Sequence, residues 1–286
     1  MISKPFQWYG GKGNLVNWLM EYVPKHHGYL ELFAGSAALL FAKWPSDVET
    51  LNDIDGGLVN FYRVLRDEAG HKELMRLLDL TPYAREEYYY CKAHWMEGKD
   101  DVEKAYRWYV VALTSFGGKW GKGYGFNPVD SVGGTAKAVN EARQEIAALP
   151  RLHKRIMRVQ IECLDWRNAL RNYAVDGDVC AYIDPPYIYK GIDSTSYVEH
   201  MKEEEHAELL EALCKSPAMV MLSGYESPLY DSLADKGWQK RIKRVVANVE
   251  RLKDGAPRKE RIEVLWTNRA HQKRMGGTLF DVEEKE

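Results

Sequence analysis

Apolar residues fall at helical spacing at Leu15, Trp18, Leu19 and Tyr22, which predicts a short first helix. Residues 29–33 form an apolar run of strand character. The small residues Ala34-Gly35-Ser36 then turn the chain into an apolar helix expected to reach about Lys43. Residues 48–52 read as a second strand and 57–65 as a second helix. Strand, tight turn, helix, strand is the opening of a doubly wound α/β sheet. From about residue 70 to 116 the period is helical and rich in Tyr and Trp, better suited to core and interface packing than to base stacking. A glycine-rich stretch runs from Phe116 to Asn127, and another helix is expected from about 135 to 149. Strand patterns resume at 159–163, 179–183, 219–222, 240–246 and 262–266. The expected architecture is therefore an α/β sheet domain, residues 1–66 and 155–286. A mainly helical insert, residues 67–154, interrupts it, with a glycine-rich hairpin near 117–127.

Composition narrows the class. With 45% apolar and 29% charged residues over 286 positions, the chain is neither disordered nor collagen-like, and needs no disulfide or metal staple. No uncharged apolar run approaches the roughly 18 residues of a membrane span, and MISKPFQWYGGK has no signal-peptide core. A cytoplasmic protein without membrane contact is expected. Cys91, Cys163, Cys180 and Cys214 form no Cys-x-x-Cys motif and read as reduced thiols, and the histidines show no metal-ligand spacing, so no metal is expected.

The net charge of −2 taken alone argues against a nucleic-acid partner. Its distribution reverses that inference. Residues 104–171 carry 12 Lys+Arg against 5 Asp+Glu, and residues 236–274 carry 13 against 4, whereas 172–235 carry 3 against 13. Lys119, Trp120, Lys122, Tyr124 and Asn127 mix charge, aromatics and polar groups among glycines, which suits phosphate contact. Arg251, Lys253, Arg258, Lys259 and Arg261 flank a Gly255-Ala-Pro257 turn and read as a phosphate-binding loop. Binding that weakens with salt follows.

Three motifs can carry chemistry. In Tyr29-Leu-Glu-Leu-Phe33-Ala-Gly35-Ser36-Ala37 a strand runs into a small-residue turn that lets a ligand approach backbone N–H groups. Asp53, 18 residues beyond Gly35, ends the next strand, where an acid can bind ribose hydroxyls. A tight turn plus a surface Asp would look the same. Asp184-Pro185-Pro186-Tyr187 follows an apolar strand, and consecutive prolines stiffen a loop there, with or without a function. Trp8-Tyr-Gly10-Gly11-Lys12 could cradle an anion, although it lacks the spacing of a P-loop.

In order and spacing these motifs resemble the Dam-type (D12 class, alpha group) DNA adenine N6-methyltransferases, which take a methyl group from S-adenosylmethionine (AdoMet) and release S-adenosyl-L-homocysteine. The resemblance covers most of the chain and implies a Rossmann-like methyltransferase sheet with an inserted target-recognition domain acting on duplex DNA. It implies that Trp8, Gly10, Gly11, Lys12, Phe33, Gly35, Ser36, Asp53, Asp165, Trp166 and Asp184 bind the cofactor. It makes Asp184, Pro185, Pro186 and Tyr187 the catalytic loop, and gives the 117–127 segment the place of a DNA-contacting hairpin. One position departs: Ala37 stands where the family commonly has a second glycine. A left-handed φ there would cost strain, whereas a helical φ would cost nothing.

The residue chemistry agrees with that reading. Adenine N6 is a poor nucleophile because its lone pair is delocalised into the ring. The Asp184 carboxylate and the Pro185 carbonyl can accept its two hydrogens and aim the lone pair. The base must be flipped out of the duplex, with Tyr187 available to stack on it. Cytosine N4 or an RNA base would fit the same loop. A silent DNA-binding relative and a nicotinamide enzyme are the remaining alternatives, the last lacking a Gly-x-Gly-x-x-Gly fingerprint. A cognate restriction endonuclease is a candidate partner.

Overall fold

Strands buried on both faces organise the structure, a computed structural model that describes residues 4–186, 201–246 and 260–276. After α1 (Val16–Met20), β1 (Gly28–Glu31) leads to α2 (Ala38–Ala42), β2 (Val48–Asn52) and α3 (Gly56–Arg66). Helices α4 (Glu68–Asp79), α5 (Arg85–His94) and α6 (Asp101–Thr114) follow, then the small strands β3 (Ser131–Val132) and β4 (Thr135–Ala136), and α7 (Lys137–Ile156). The sheet resumes with β5 (Gln160–Glu162), α8 (Trp166–Tyr173), β6 (Val179–Ile183), α9 (Glu203–Lys215), β7 (Met219–Gly224) and α10 (Pro228–Asp231). It ends with β8 (Gln239–Val246), β9 (Glu260–Thr267) and α11 (Arg269–Arg274).

The seven-stranded sheet has the order β5-β2-β1-β6-β7-β9-β8 and is parallel except for β9, which runs against both neighbours. Every residue of β1, β6 and β7 is buried, as expected for parallel strands covered by helices on both faces. Alternation divides the core. Tyr29, Cys180, Met219 and Met221 face one hydrophobic cluster, and Leu30, Ala181, Val220 and Leu222 face the other. From β1 the chain moves outward through β2 to β5, then crosses back to β6 on the other side of β1. That reversal opens a crevice at the carboxyl ends of β1 and β6, where ligands bind in open α/β sheets.

The helices of the expected insert share the first cluster with the sheet. Phe61 of α3 stacks on Tyr109 of α6 at 4.7 Å and 4°, and Phe6 packs edge-on against Phe61, Trp108 and Tyr109. Among the described residues, the large buried apolar side chains of 67–154 belong to the same cluster as one face of the sheet. The expected boundary at 154/155 also falls inside α7. The helix expected to end at about 149 continues through Pro150, and Leu149, Leu152 and Ile156 bury one continuous face on either side of it. The glycine-rich segment is a tight loop closed by a single antiparallel bridge, Ser115 to Tyr124, and the paired hairpin lies later, at β3–β4. No helix among the described residues is long and apolar enough to cross a membrane.

Candidate active site

The ends of four parallel strands, β1, β2, β5 and β6, open into one cavity, closed on a further side by the N-terminal loop. Every cofactor candidate lines it: Trp8, Gly10, Gly11, Lys12, Phe33, Gly35, Ser36, Asp53, Asp165, Trp166 and Asp184, together with Pro185 and Pro186. Tyr187 lies outside the described residues.

Charge in the cavity is arranged around Lys12. Its buried ammonium stands 2.9 Å from Asp184 Oδ1, donates to the Gly10 carbonyl at 2.9 Å and lies 3.9 Å from Glu263 of β9. Lys12 and Asp184 are far apart in sequence, so this pairing is a product of the fold. Asp53, half-buried at the end of β2, accepts the Gly35 N–H on one carboxylate oxygen (2.9 Å) and the Asp55 N–H on the other (3.0 Å). Each oxygen keeps a lone pair for a further donor. Burial pushes the Asp53 carboxyl up to about 6, against the opposing pull of those N–H groups. Asp165 is committed locally: it caps α8 through the Arg167 N–H (2.9 Å) and pairs with the Arg167 guanidinium (3.0 Å). Beside it, that guanidinium lies 4.5 Å from the ring centre of buried Trp166.

Two buried polar side chains of the cavity had no role assigned to them from sequence. Glu31, the last residue of β1, is 2% exposed and lines the cavity floor; its Oε1 accepts the Tyr29 hydroxyl (2.8 Å) and the Leu40 N–H (2.7 Å). Burial pushes the Glu31 carboxyl up to about 7. An acid inside the apolar run 29–33 was the available signal. Asn52, fully buried, donates to the Leu32 and Leu164 carbonyls (3.0 and 3.1 Å) and accepts the Leu164 N–H (3.0 Å). It ties the loops after β1 and β5 to the end of β2, a bridging role that sequence spacing does not express.

The turn after β1 is held tightly. Gly35 has φ +46°, and a Cβ on it would stand 2.8 Å from Trp8 Cδ1, so only glycine lets the N-terminal loop close on the turn. The Tyr62 hydroxyl of α3 donates to the Gly35 carbonyl at 2.8 Å. Ala37 has φ +48° and ψ +37°, the left-handed conformation, so the strain alternative is the one the fold adopts. That strain costs about 1–2 kcal/mol. Ala37→Gly removes it, but gives up about 0.5–1 kcal/mol in backbone entropy and about 0.8 kcal/mol of methyl burial. The expected result in urea denaturation is therefore a stability within about 1 kcal/mol of the parent, whereas a β-branched Ala37→Val should lose at least about 2 kcal/mol. Equal stability of the Val and Gly variants would contradict the strain.

The DNA-contact candidates have mixed fates. Lys122 is exposed; Lys119 is half-buried, its ammonium 4.6 Å from the ring centre of Tyr9. Trp120 is turned inward, stacked on Trp108 with its indole N–H donating to the Trp108 carbonyl at 3.2 Å. Tyr124 packs between Tyr83 and Phe126. Asn127 accepts the Val129 and Asp130 N–H groups, shaping a turn. The aromatic rings this segment does expose are Phe116 and Phe126. The segment abuts the cavity wall: the Tyr9 N–H donates to the Gly118 carbonyl at 3.0 Å. A Cβ at Gly118 would stand 3.1 Å from the Gln7 and Trp8 backbone. Arg251, Lys253, Arg258 and Lys259 lie outside the described residues, as does the side chain of Arg261. Among the described residues no group of three His, Cys, Asp or Glu side chains is placed to hold a metal ion.

Residues 8–249 match the sequence pattern of the D12 class N6 adenine-specific DNA methyltransferase family. The chain belongs to that family. It is 30% identical over 246 residues to the Type II methyltransferase M1.LlaDCHI of Lactococcus lactis subsp. cremoris, an alignment covering 80% of this chain and 84% of the relative. A 64-residue stretch is 34% identical to the DNA N-6-adenine-methyltransferase of Escherichia phage P1, covering 22% of this chain and 8% of that protein. The family sets adenine N6 in DNA as the acceptor, so the cytosine-N4, RNA-base and nicotinamide alternatives fall away. It also sets a Rossmann-like methyltransferase sheet, with which the mostly parallel order agrees.

Proposed function

We propose that the cavity binds AdoMet and that the Asp184–Pro186 loop presents adenine N6 to it. The observation that carries this reading is the convergence of four strand ends and the N-terminal loop on one cavity containing a paired Lys12–Asp184. The cavity fits a nucleoside with an amino-acid tail. Asp53 supplies charged acceptors for two ribose hydroxyls, and the Cβ-free turn at Gly35 brings backbone close to a ligand. Lys12, Glu31 and Asp184 offer both signs of charge for the ammonium and carboxylate of the tail. When bound, AdoMet supplies a methyl group already activated on a cationic sulfur.

The residues then do the rest. The Asp184 carboxylate and the Pro185 carbonyl accept the two N6 hydrogens of a flipped adenine, drawing the nitrogen toward tetrahedral geometry. Lys12 holds the Asp184 carboxylate through Oδ1, and the two prolines limit the loop's freedom. As positive charge develops on N6, both acceptors stabilise it, and the proton leaves through Asp184 toward solvent. The basic segments 104–171 and 236–274 are the side offered to phosphate, and residues 67–154 are the unit that reads the target sequence. The name of the first relative supports a place in a Type II restriction–modification pair, with a cognate endonuclease as partner. Such a protein acts in the cytoplasm.

Labelled methyl transfer to duplex DNA followed by nucleoside analysis tests the reading. N6-methyladenine is the expected product. No labelled N6-methyladenine across duplexes of varied sequence would overturn the proposal.

A further inference from the structure

Beneath the catalytic loop lie two buried polar side chains that the mechanism above leaves unused. His206, in the first turn of α9, is fully buried, and its Nδ1 lies 2.9 Å from the hydroxyl of Tyr230 in α10, itself only 3% exposed. The Tyr230 ring rests on the end of β7, where a Cβ at Gly224 would stand 3.0 Å from Tyr230 Cε1. Its hydroxyl is close enough to feel the Asp184 charge. The His206 ring also reaches the backbone of Pro186, and its Nε2 is buried without a formed hydrogen bond among the described residues. Burial holds His206 down to about 4 and pushes Tyr230 up, so at neutral pH the imidazole is uncharged and the phenol keeps its proton. A phenol donating to Nδ1 leaves the ring proton on Nε2. A buried imidazole N–H beside a backbone carbonyl has one economical use: to donate to it, loosely in the ligand-free protein and more tightly once the site is filled.

We propose that His206, with its proton fixed on Nε2 by Tyr230, is a positioning residue for methyl transfer: it holds the Pro186 carbonyl and so sets the Asp184 carboxylate and the Pro185 carbonyl for adenine N6. The inference rests on the assignment of the Asp184–Pro186 loop as catalytic. It extends the active site to a second layer formed by α9 and α10, and it explains two buried polar groups that a purely apolar layer would not need.

The test compares His206→Leu, His206→Gln, Tyr230→Phe and Asp184→Asn in the full chain, by single-turnover methyl transfer, AdoMet titration and thermal melting. His206→Leu is expected to slow transfer by about 30- to 100-fold, the scale of a loop misplaced by about 1 Å, with AdoMet affinity within about threefold of the parent. His206→Gln, whose amide nitrogen can take the place of Nε2, should recover most of the rate. Tyr230→Phe should fall about tenfold, because the tautomer is no longer fixed. A rate for His206→Leu within threefold of the parent overturns the proposal. So does a folded His206→Gln as slow as His206→Leu, or a loss of rate matched by an equal loss of AdoMet affinity. If His206→Leu does not fold, His206→Gln and Tyr230→Phe decide: a rate lost in the phenylalanine variant and kept in the glutamine variant supports the proposal, and any other pattern refutes it. Asp184→Asn separates the two levels. Should that variant keep the parent rate, the catalytic assignment of the loop fails; should it be inactive while the His206 variants are unimpaired, only the positioning role fails.

Discussion

Replacement of Asp184 by Asn is expected to lower the single-turnover rate of methyl transfer by about a thousandfold, while AdoMet affinity changes by less than about tenfold. The magnitude follows from losing a charged acceptor at the atom where positive charge develops, since removal of one such preorganised group typically costs about 10²–10³ in rate. The amide also turns one acceptor into a donor, which faces the N6 hydrogens it should bind. Asn is the informative replacement because Lys12 is buried 2.9 Å from the carboxylate. Removing the whole side chain, as in Asp184→Ala, takes away the carboxylate nearest that ammonium, while Glu263 stands at 3.9 Å. Breaking a buried pair in that way costs about 3–5 kcal/mol of stability. Asp184→Ala is therefore expected to melt well below Asp184→Asn. Transfer by Asp184→Asn within tenfold of the parent would show that the Pro185 carbonyl alone can orient the amine, and the proposed two-acceptor geometry would be wrong.

The second large effect concerns cofactor affinity. Asp53→Asn is expected to weaken AdoMet binding by about 10- to 100-fold, the loss of one or two charge-assisted hydrogen bonds at about 1.5–3 kcal/mol each, partly recovered by the amide oxygen. The pH dependence carries the signature. Burial sets the Asp53 carboxyl at about 6, and ribose hydroxyls need the carboxylate. Affinity in the parent should therefore rise as pH increases through about 6 and level off above neutrality; the Asn variant should lack that step. The sign for folding is opposite. A carboxyl whose folded pKa lies above its unfolded value favours the fold at low pH and gives up that contribution as pH climbs through about 6. Asp53 is thus held at this place against the preference of the fold, as a ligand-binding group is. Glu31, at about 7 in the same cavity, adds a second titration, which persists in the Asn variant and distinguishes the two groups. An isothermal titration series from pH 5 to 8 measures both. A parent affinity flat across pH 6, or an Asn variant that binds as the parent does, would remove Asp53 from the ribose site.

Much of this architecture was legible along the chain. The strand at Val179–Ile183 is bounded as expected, because a run of buried apolar residues stopped by two prolines has sharp ends. The motif residues at four strand ends meet in one cavity because a doubly wound sheet brings the carboxyl ends of its strands to one edge. A motif placed just after each strand therefore lands in the same crevice, and a linear pattern is enough to foresee it. Where local signals compete with packing, the sequence misleads. The helix expected to end at about 149 runs on through Pro150, because the apolar face that continues to Ile156 outweighs the lost hydrogen bond. Trp120 sits among lysines and glycines like a surface aromatic, yet it stacks on Trp108, because burying an indole with its N–H satisfied is favourable.

Periodicity and motifs local to one turn each were enough for the class of fold, the family and many, though not all, of the residues around the cavity. Only the tertiary structure decided how the motifs act on one another. The pairing of Lys12 with Asp184, the bridge made by Asn52, the left-handed Ala37, the cavity-floor position of Glu31 and the meeting of His206 with Tyr230 all join or depend on segments that are distant in the chain or on a local φ. The physical reason is that hydrogen bonds and buried charges are set by positions in space to within fractions of an ångström. Spacing in sequence fixes such positions only inside a single helix, strand or turn.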